Sequence, residues 1–93
     1  MRNPAAQGRR DANHAEITQA FEKLGCKVVD LSHVGRCPDI LVGHQFGNEL
    51  VEIKTVKGTL TRAQKNFEWP NKIPVVRTMD DVFALVSKWR ARI

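Results

Sequence analysis

The spacing of hydrophobic positions changes period along the chain, and each change marks a predicted element. Ile17, Ala20, Phe21 and Leu24 fall at i, i+3, i+4 and i+7, and Gly25 supplies a stop, which predicts a helix over 11–24. "CKVVDLS" (26–32) reads as a short strand, followed by the loop "HVGRCP", which Gly35 and Pro38 keep irregular. "DILVGH" (39–44) is a second strand, "HQFGN" a hairpin connection, and "ELVEIKTV" (49–56) a third strand antiparallel to the second. Gly58 ends this sheet segment. In "TRAQKNFEW" (61–69), Thr61 stands at an N-cap with Gln64 three residues on, the spacing of a capping box, and Pro70 closes the helix. "IPVVRT" (73–78) gives a fourth strand. Thr78 and Asp81 open a last helix in which Val82, Leu85, Val86 and Trp89 repeat at helical spacing.

The predicted order is therefore α-β-β-β-α-β-α, an α/β protein of the α+β kind with a mixed sheet flanked by helices on its faces. Residues 1–10 show no periodicity and carry three arginines, so they are expected to form a flexible basic arm outside the fold. Residues 11–93 are expected to form one domain without repeats.

Strand alternation adds a chemical feature to this outline. Val51, Ile53 and Thr55 share one side of the third strand, and Leu50, Glu52 and Lys54 the other; on the second, Ile40 and Val42 oppose Asp39 and Leu41. If both apolar sets face the core, then Asp39, Glu52 and Lys54 project together from the opposite face. Register decides whether they meet. A tight turn at Gly47-Asn48 would leave Asp39 about 13 Å from the level of Glu52, too far for one cation to bridge. A wider connection from His44 to Gly47 sets Asp39 opposite Glu52, and this register is the one expected. The bland alternative is an exposed Glu-x-Lys forming a surface ion pair worth about 0–1 kcal/mol.

Charge and composition narrow the class of partner. Fifteen Lys and Arg against ten Asp and Glu give a formal charge of +5, and the pI is near 9.7, the balance of a protein that meets phosphates. With 42% hydrophobic and 27% charged residues the chain is expected to fold. A domain of 93 residues has a modest core, which a second copy would supplement. Cys26 and Cys37 match no zinc or redox spacing, and neither an apolar run of membrane length nor a signal-peptide segment is present, so a cytoplasmic, DNA-associated protein with reduced thiols is expected. His14, His33 and His44 form no ligand cluster and read as surface residues. Trp69 and Trp89 read as core or dimer-interface anchors rather than base-stacking platforms.

"PD" at 38–39, then "EIK" at 52–54, resembles the PD-(D/E)xK nuclease superfamily. With Glu16 on the first helix and "LTRAQ" at 60–64, the chain looks most similar to the virus-type replication-repair nuclease (VRR-NUC) branch, close to Holliday-junction resolvases. The resemblance runs from Glu16 to the fourth strand and implies a restriction-endonuclease-like core. It further implies that Glu16, Asp39, Glu52 and the Ile53 carbonyl would ligate Mg²⁺ or Mn²⁺. Lys54 would sit beside the attacking water, and Gln64 would support that lysine or a phosphate. Gln64 serves equally well as the capping-box partner of Thr61. Cys37 departs from the small residue usual before the Pro-Asp pair and places a soft ligand near the site. Glu16 lies about 90° from the centre of its helix's apolar face, on the flank, where an ordinary surface glutamate would also lie.

The chemistry has its own logic. Phosphodiester hydrolysis needs a hydroxide and relief of phosphate charge, and a carboxylate-held Mg²⁺ supplies both. A lysine among carboxylates is a cation, suited to positioning and charge stabilisation rather than to resting as a base. His33, Arg36, Lys57, Arg62 and Lys65 are the expected DNA contacts. The function expected is a metal-dependent, structure-selective DNA endonuclease of the DNA-repair type, cutting branched DNA such as four-way junctions. Phe46, Phe83 and Trp89 are interface candidates for a homodimer. A non-catalytic nucleic-acid-binding module and an RNA endonuclease are the alternatives; a sequence-specific restriction enzyme is disfavoured because little chain remains to read bases.

Overall fold

Capping chemistry places the helices. A computed structural model describes residues 13–91, so the arm at 1–10, the first two residues of the predicted first helix and the last two residues of the chain lie outside the described residues. Helix α1 spans His14–Lys23. It ends at Leu24 in a Schellman arrangement: Gly25, at φ 89°, donates to the Glu22 carbonyl and Cys26 to that of Phe21. Strand β1 is Lys27–Asp30, β2 Ile40–His44 and β3 Gly47–Ile53. Helix α2 is Arg62–Lys65, β4 Val75–Val76 and α3 Met79–Arg90. Thr61 and Thr78 each head a complete capping box, closed by Gln64 and Asp81.

The sheet runs β1-β2-β3-β4. β1 and β3 are antiparallel to β2, and β4 joins β3 parallel, so the sheet is mixed. The parallel step follows from connectivity: the whole 54–74 segment crosses over before β4 enters. Among the described residues the elements run in the order predicted, in a small α+β domain with four strands and three helices. Register agrees with the expected one. Ile40 pairs with Val51 and His44 with Gly47, so the hairpin turns at Gln45-Phe46.

Packing departs from a sheet with helices on both faces. Ile40, Val42, Val51 and Ile53 share one face and form a single core with Ile17, Ala20 and Phe21 of α1 and Val82, Val86 and Trp89 of α3. Both long helices therefore cover the same face. Burying side chains of this size contributes about 1.5–3 kcal/mol each, which concentrates the stability in one layer pair. On the opposite face, which carries Leu41, Leu50 and Glu52, Gln64 of the short α2 contacts Glu52.

Three further expectations fail. The predicted helix over 61–69 stops at Lys65; the residue before a proline is biased out of the α region, which sets Trp69 against helix continuation. His14 is buried and the His44 side chain only 6% exposed, rather than both being surface residues. His44 continues the Ile40-Val42 face, and its ring stacks on Trp89 at 4.3 Å and 7°. Trp89, at 2% exposure, is core and offers no interface.

Candidate functional site

β3 outlasts β2, and the site forms where the neighbouring strand stops. The last paired residue of β2 on this side is Ile40, opposite Val51, so continuing the register by one residue sets Asp39 level with Glu52. Glu52 and Lys54 donate their backbone N–H groups to Pro74 and Val76 on the β4 side. Ladder alternation therefore turns the N–H and C=O of Ile53 towards the β2 side. The Asp39 carboxylate fills the position there: Oδ2 accepts the Ile53 N–H at 2.8 Å. The Ile53 carbonyl consequently faces the same corner as Asp39.

Glu52 is 4% exposed, an acid held inside the fold. Gln64 donates from Nε2 to its Oε2 at 2.6 Å, while Gln64 Oε1 accepts the Thr61 N–H at 2.8 Å. Gln64 thus serves as capping-box partner and as support for Glu52, where support of Lys54 or a phosphate was expected. Lys54 is the first residue after β3, is half-buried, and its side chain runs beside Gly58. Among the described residues it forms no ion pair within 4 Å with Asp39. The 54–58 loop beside it is fixed by other groups. Asn13 Nδ2 donates to the Lys54 and Arg77 carbonyls, and the Arg77 guanidinium donates to those of Thr55 and Gly58.

Cys37 reports the local charge. Burial raises its thiol above the ordinary value, and the negative charges of Glu52 and then Asp39 raise it further. The thiol stays protonated near neutral pH, which disfavours covalent cysteine chemistry at this corner.

Glu16 is exposed in the first turn of α1. Among the described residues no three of His, Cys, Asp and Glu converge as a metal-holding group, so Glu16 is not gathered with Asp39 and Glu52. The set brought together is Asp39, Glu52, the Ile53 backbone and Gln64, with Lys54 alongside. Two carboxylates and a carbonyl are hard oxygen donors, which fit Mg²⁺ or Mn²⁺ and leave several positions for water.

A groove of about 570 Å³ opens beside Glu52 and is lined by Arg36, Lys65 and Lys72 among others. Arg36 and Lys65 were expected contacts; His33, Lys57 and Arg62 are exposed but lie outside this lining. Arg36 holds a left-handed backbone conformation, φ 59°, immediately before Cys37. Lys72 and Phe67, which were missed, also line the groove, as does Trp69, expected as a core or dimer-interface anchor but 52% exposed. The signal for them was Pro70, which biases the residue before it out of the helical region, and Pro74, which with Pro70 brackets Lys72 in a stretch unable to form helix. No helix is long and apolar enough to cross a membrane among the described residues. In comparisons with protein-family models, curated proteins and solved structures, nothing matches this chain.

Proposed function

We propose that this protein is a metal-dependent DNA endonuclease with a restriction-endonuclease-like core, hydrolysing a phosphodiester bond at the Asp39–Glu52–Lys54 corner. The observation that carries the reading is the placement of Asp39 level with Glu52, with the Ile53 backbone between them and a basic groove adjoining.

Asp39, Glu52 and the Ile53 carbonyl would hold Mg²⁺ or Mn²⁺, which when bound supplies a hydroxide at neutral pH and offsets charge on the phosphate. The chain's residues arrange the rest. Gln64 fixes the orientation of Glu52, and the strand ladder fixes Ile53. Lys54, two residues beyond Glu52, would orient the attacking water and stabilise charge that develops on the phosphate. Arg36 and Lys65 dock the backbone of the DNA. The preferred substrate is branched DNA, with the four-way junction carried over from the resemblance, and the active form is a homodimer. Phe46 and Phe83, 39% and 48% exposed, are its available apolar contacts. Both cysteines are free, as fits an intracellular, DNA-associated protein.

A second reading is a nucleic-acid-binding module that retains the groove without the chemistry, favoured by the position of Glu16 away from the two acids. One experiment separates them: a cleavage panel of linear duplex, flap, splayed-arm and four-way-junction DNA, with a matched RNA hairpin, in Mg²⁺ and in Ca²⁺. The nuclease reading requires cutting of DNA in Mg²⁺ that disappears in Lys54→Ala. Tight binding to DNA without cutting in any metal selects the second reading.

A further inference from the structure

We infer that the groove beside Glu52 receives the base of a single unpaired nucleotide, stacked on Trp69 and adjacent to the phosphate to be cut; the identity of that strand as substrate DNA rests on the nuclease reading above. Trp69 is 52% exposed, an unusual place for the largest side chain. Its ring is not loose. It stacks on Phe67 with centroids 5.7 Å apart and planes at 22°, so one face is braced and another is offered. A preformed aromatic surface of this kind binds a base with little loss of side-chain freedom.

The remaining walls choose among possible guests. Leu60, Ile73 and Val75 contribute apolar lining, and the volume of about 570 Å³ falls within the range of small-molecule sites. Arg36, Lys65 and Lys72 line the same groove, against one acid, Glu52. An apolar peptide or helix seated there would bury these cations without counter-charge, which is costly. A nucleotide satisfies both needs, since its base has an apolar face and its phosphates meet the cations. A paired base is already stacked on both sides and has no free face for Trp69. The groove therefore selects unpaired nucleotides, and among branched DNAs it favours flaps, splayed arms and unpaired junction points over fully stacked duplex. Glu52 lies in the lining, so a base held there brings its own phosphate to the carboxylate corner.

The test uses tryptophan emission during titration with an oligothymidylate in Ca²⁺, where binding is read without cleavage. The oligomer is expected to quench wild-type emission and to leave Trp69→Phe, whose other tryptophan is the buried Trp89, nearly unchanged. Trp69→Ala is expected to lose about five- to hundred-fold in affinity for the oligomer, the loss of one stacked base, with duplex affinity unchanged. An oligomer made abasic throughout, bound by the wild-type protein, should show the same weakening without any change to the protein. Quenching that persists in Trp69→Phe, or abasic and intact oligomers binding equally, overturns the inference. Quenching as expected, with no Mg²⁺-dependent cutting of any DNA, upholds the groove and overturns the nuclease reading instead.

Discussion

Asp39 Oδ2 accepts the Ile53 N–H at 2.8 Å, fourteen residues downstream, so a side chain completes a ladder that β2 leaves unfinished. The same carboxylate is one of the two acids of the candidate site, and the two roles can be separated. Asp39→Asn keeps an acceptor oxygen and removes the charge; cleavage is expected to disappear while urea unfolding shifts by less than about 1 kcal/mol. Asp39→Ala leaves the N–H unpaired at a partly buried position and is expected to cost about 1–2 kcal/mol more. Equal stability of the two variants would contradict the ladder role, and wild-type turnover by either would contradict the catalytic one.

Gln64 can be divided in the same manner. Glutamate is as good a capping-box partner for Thr61, but it has no donor for Glu52 and carries a like charge. Gln64→Glu is therefore expected to retain the α2 cap, seen in unchanged amide exchange at Thr61, and to reduce cleavage by about ten-fold or more, the cost of one charged hydrogen bond. Gln64→Ala should lose both, with about 1 kcal/mol of stability gone from the cap. Full activity in Gln64→Glu would reduce the residue to a capping role.

Cys37 provides a chemical reading of the carboxylates. Because burial, then Glu52 and Asp39, raise its thiol, removing negative charge must lower it. Peptide-resolved alkylation across pH should show the Cys37 midpoint moving down in Glu52→Gln, and down again when Mg²⁺ is added to the wild type. Cys26, raised by burial and lowered by Arg90, should not move in either case. An unmoved Cys37 profile with saturating Mg²⁺ would place the ion elsewhere.

Arg36 presents a choice between stability and binding. A left-handed conformation costs a non-glycine residue about 1–2 kcal/mol, partly offset by the extra unfolded-state freedom of glycine. Arg36→Gly is accordingly expected to be between neutral and about 1 kcal/mol more stable in urea unfolding. It should weaken DNA binding and reduce the salt slope of the affinity by about one ion. Loss of stability beyond about 1 kcal/mol would mean that the arginine side chain holds the loop.

Much of the arrangement was legible in the sequence because its determinants are local. Alternation placed Asp39, Glu52 and Lys54 on one face, and the observed turn at Gln45-Phe46 gives the register that joins the first two. The T-x-x-Q and T-x-x-D spacings marked both capping boxes. The misses have a common origin in packing between distant elements. Nothing within α1 reveals where Glu16 points relative to a sheet, and nothing within "NFEWPNKIP" reveals that Trp69 and Phe67 brace one another. His44 is different: the Ile40-Val42 alternation already placed it on the core face, and its polarity outweighed its position in the reading.

The segment between Lys54 and Gly58 is held through its backbone: Asn13 and Arg77 grip its carbonyls from outside, the Lys54 N–H donates to Val76 and the Gly58 N–H to Thr55. Two of its side chains turn to solvent: Val56 is 70% exposed and Lys57 is exposed as well. Selection can therefore rewrite positions 56 and 57 without redrawing the path of the chain, as long as the two gripping residues persist. A surface next to a candidate cutting site is thereby open to diversification at little structural risk. Related chains that share Asn13 and Arg77 could diverge there in what they touch, while keeping the same corner of acids and lysine beneath.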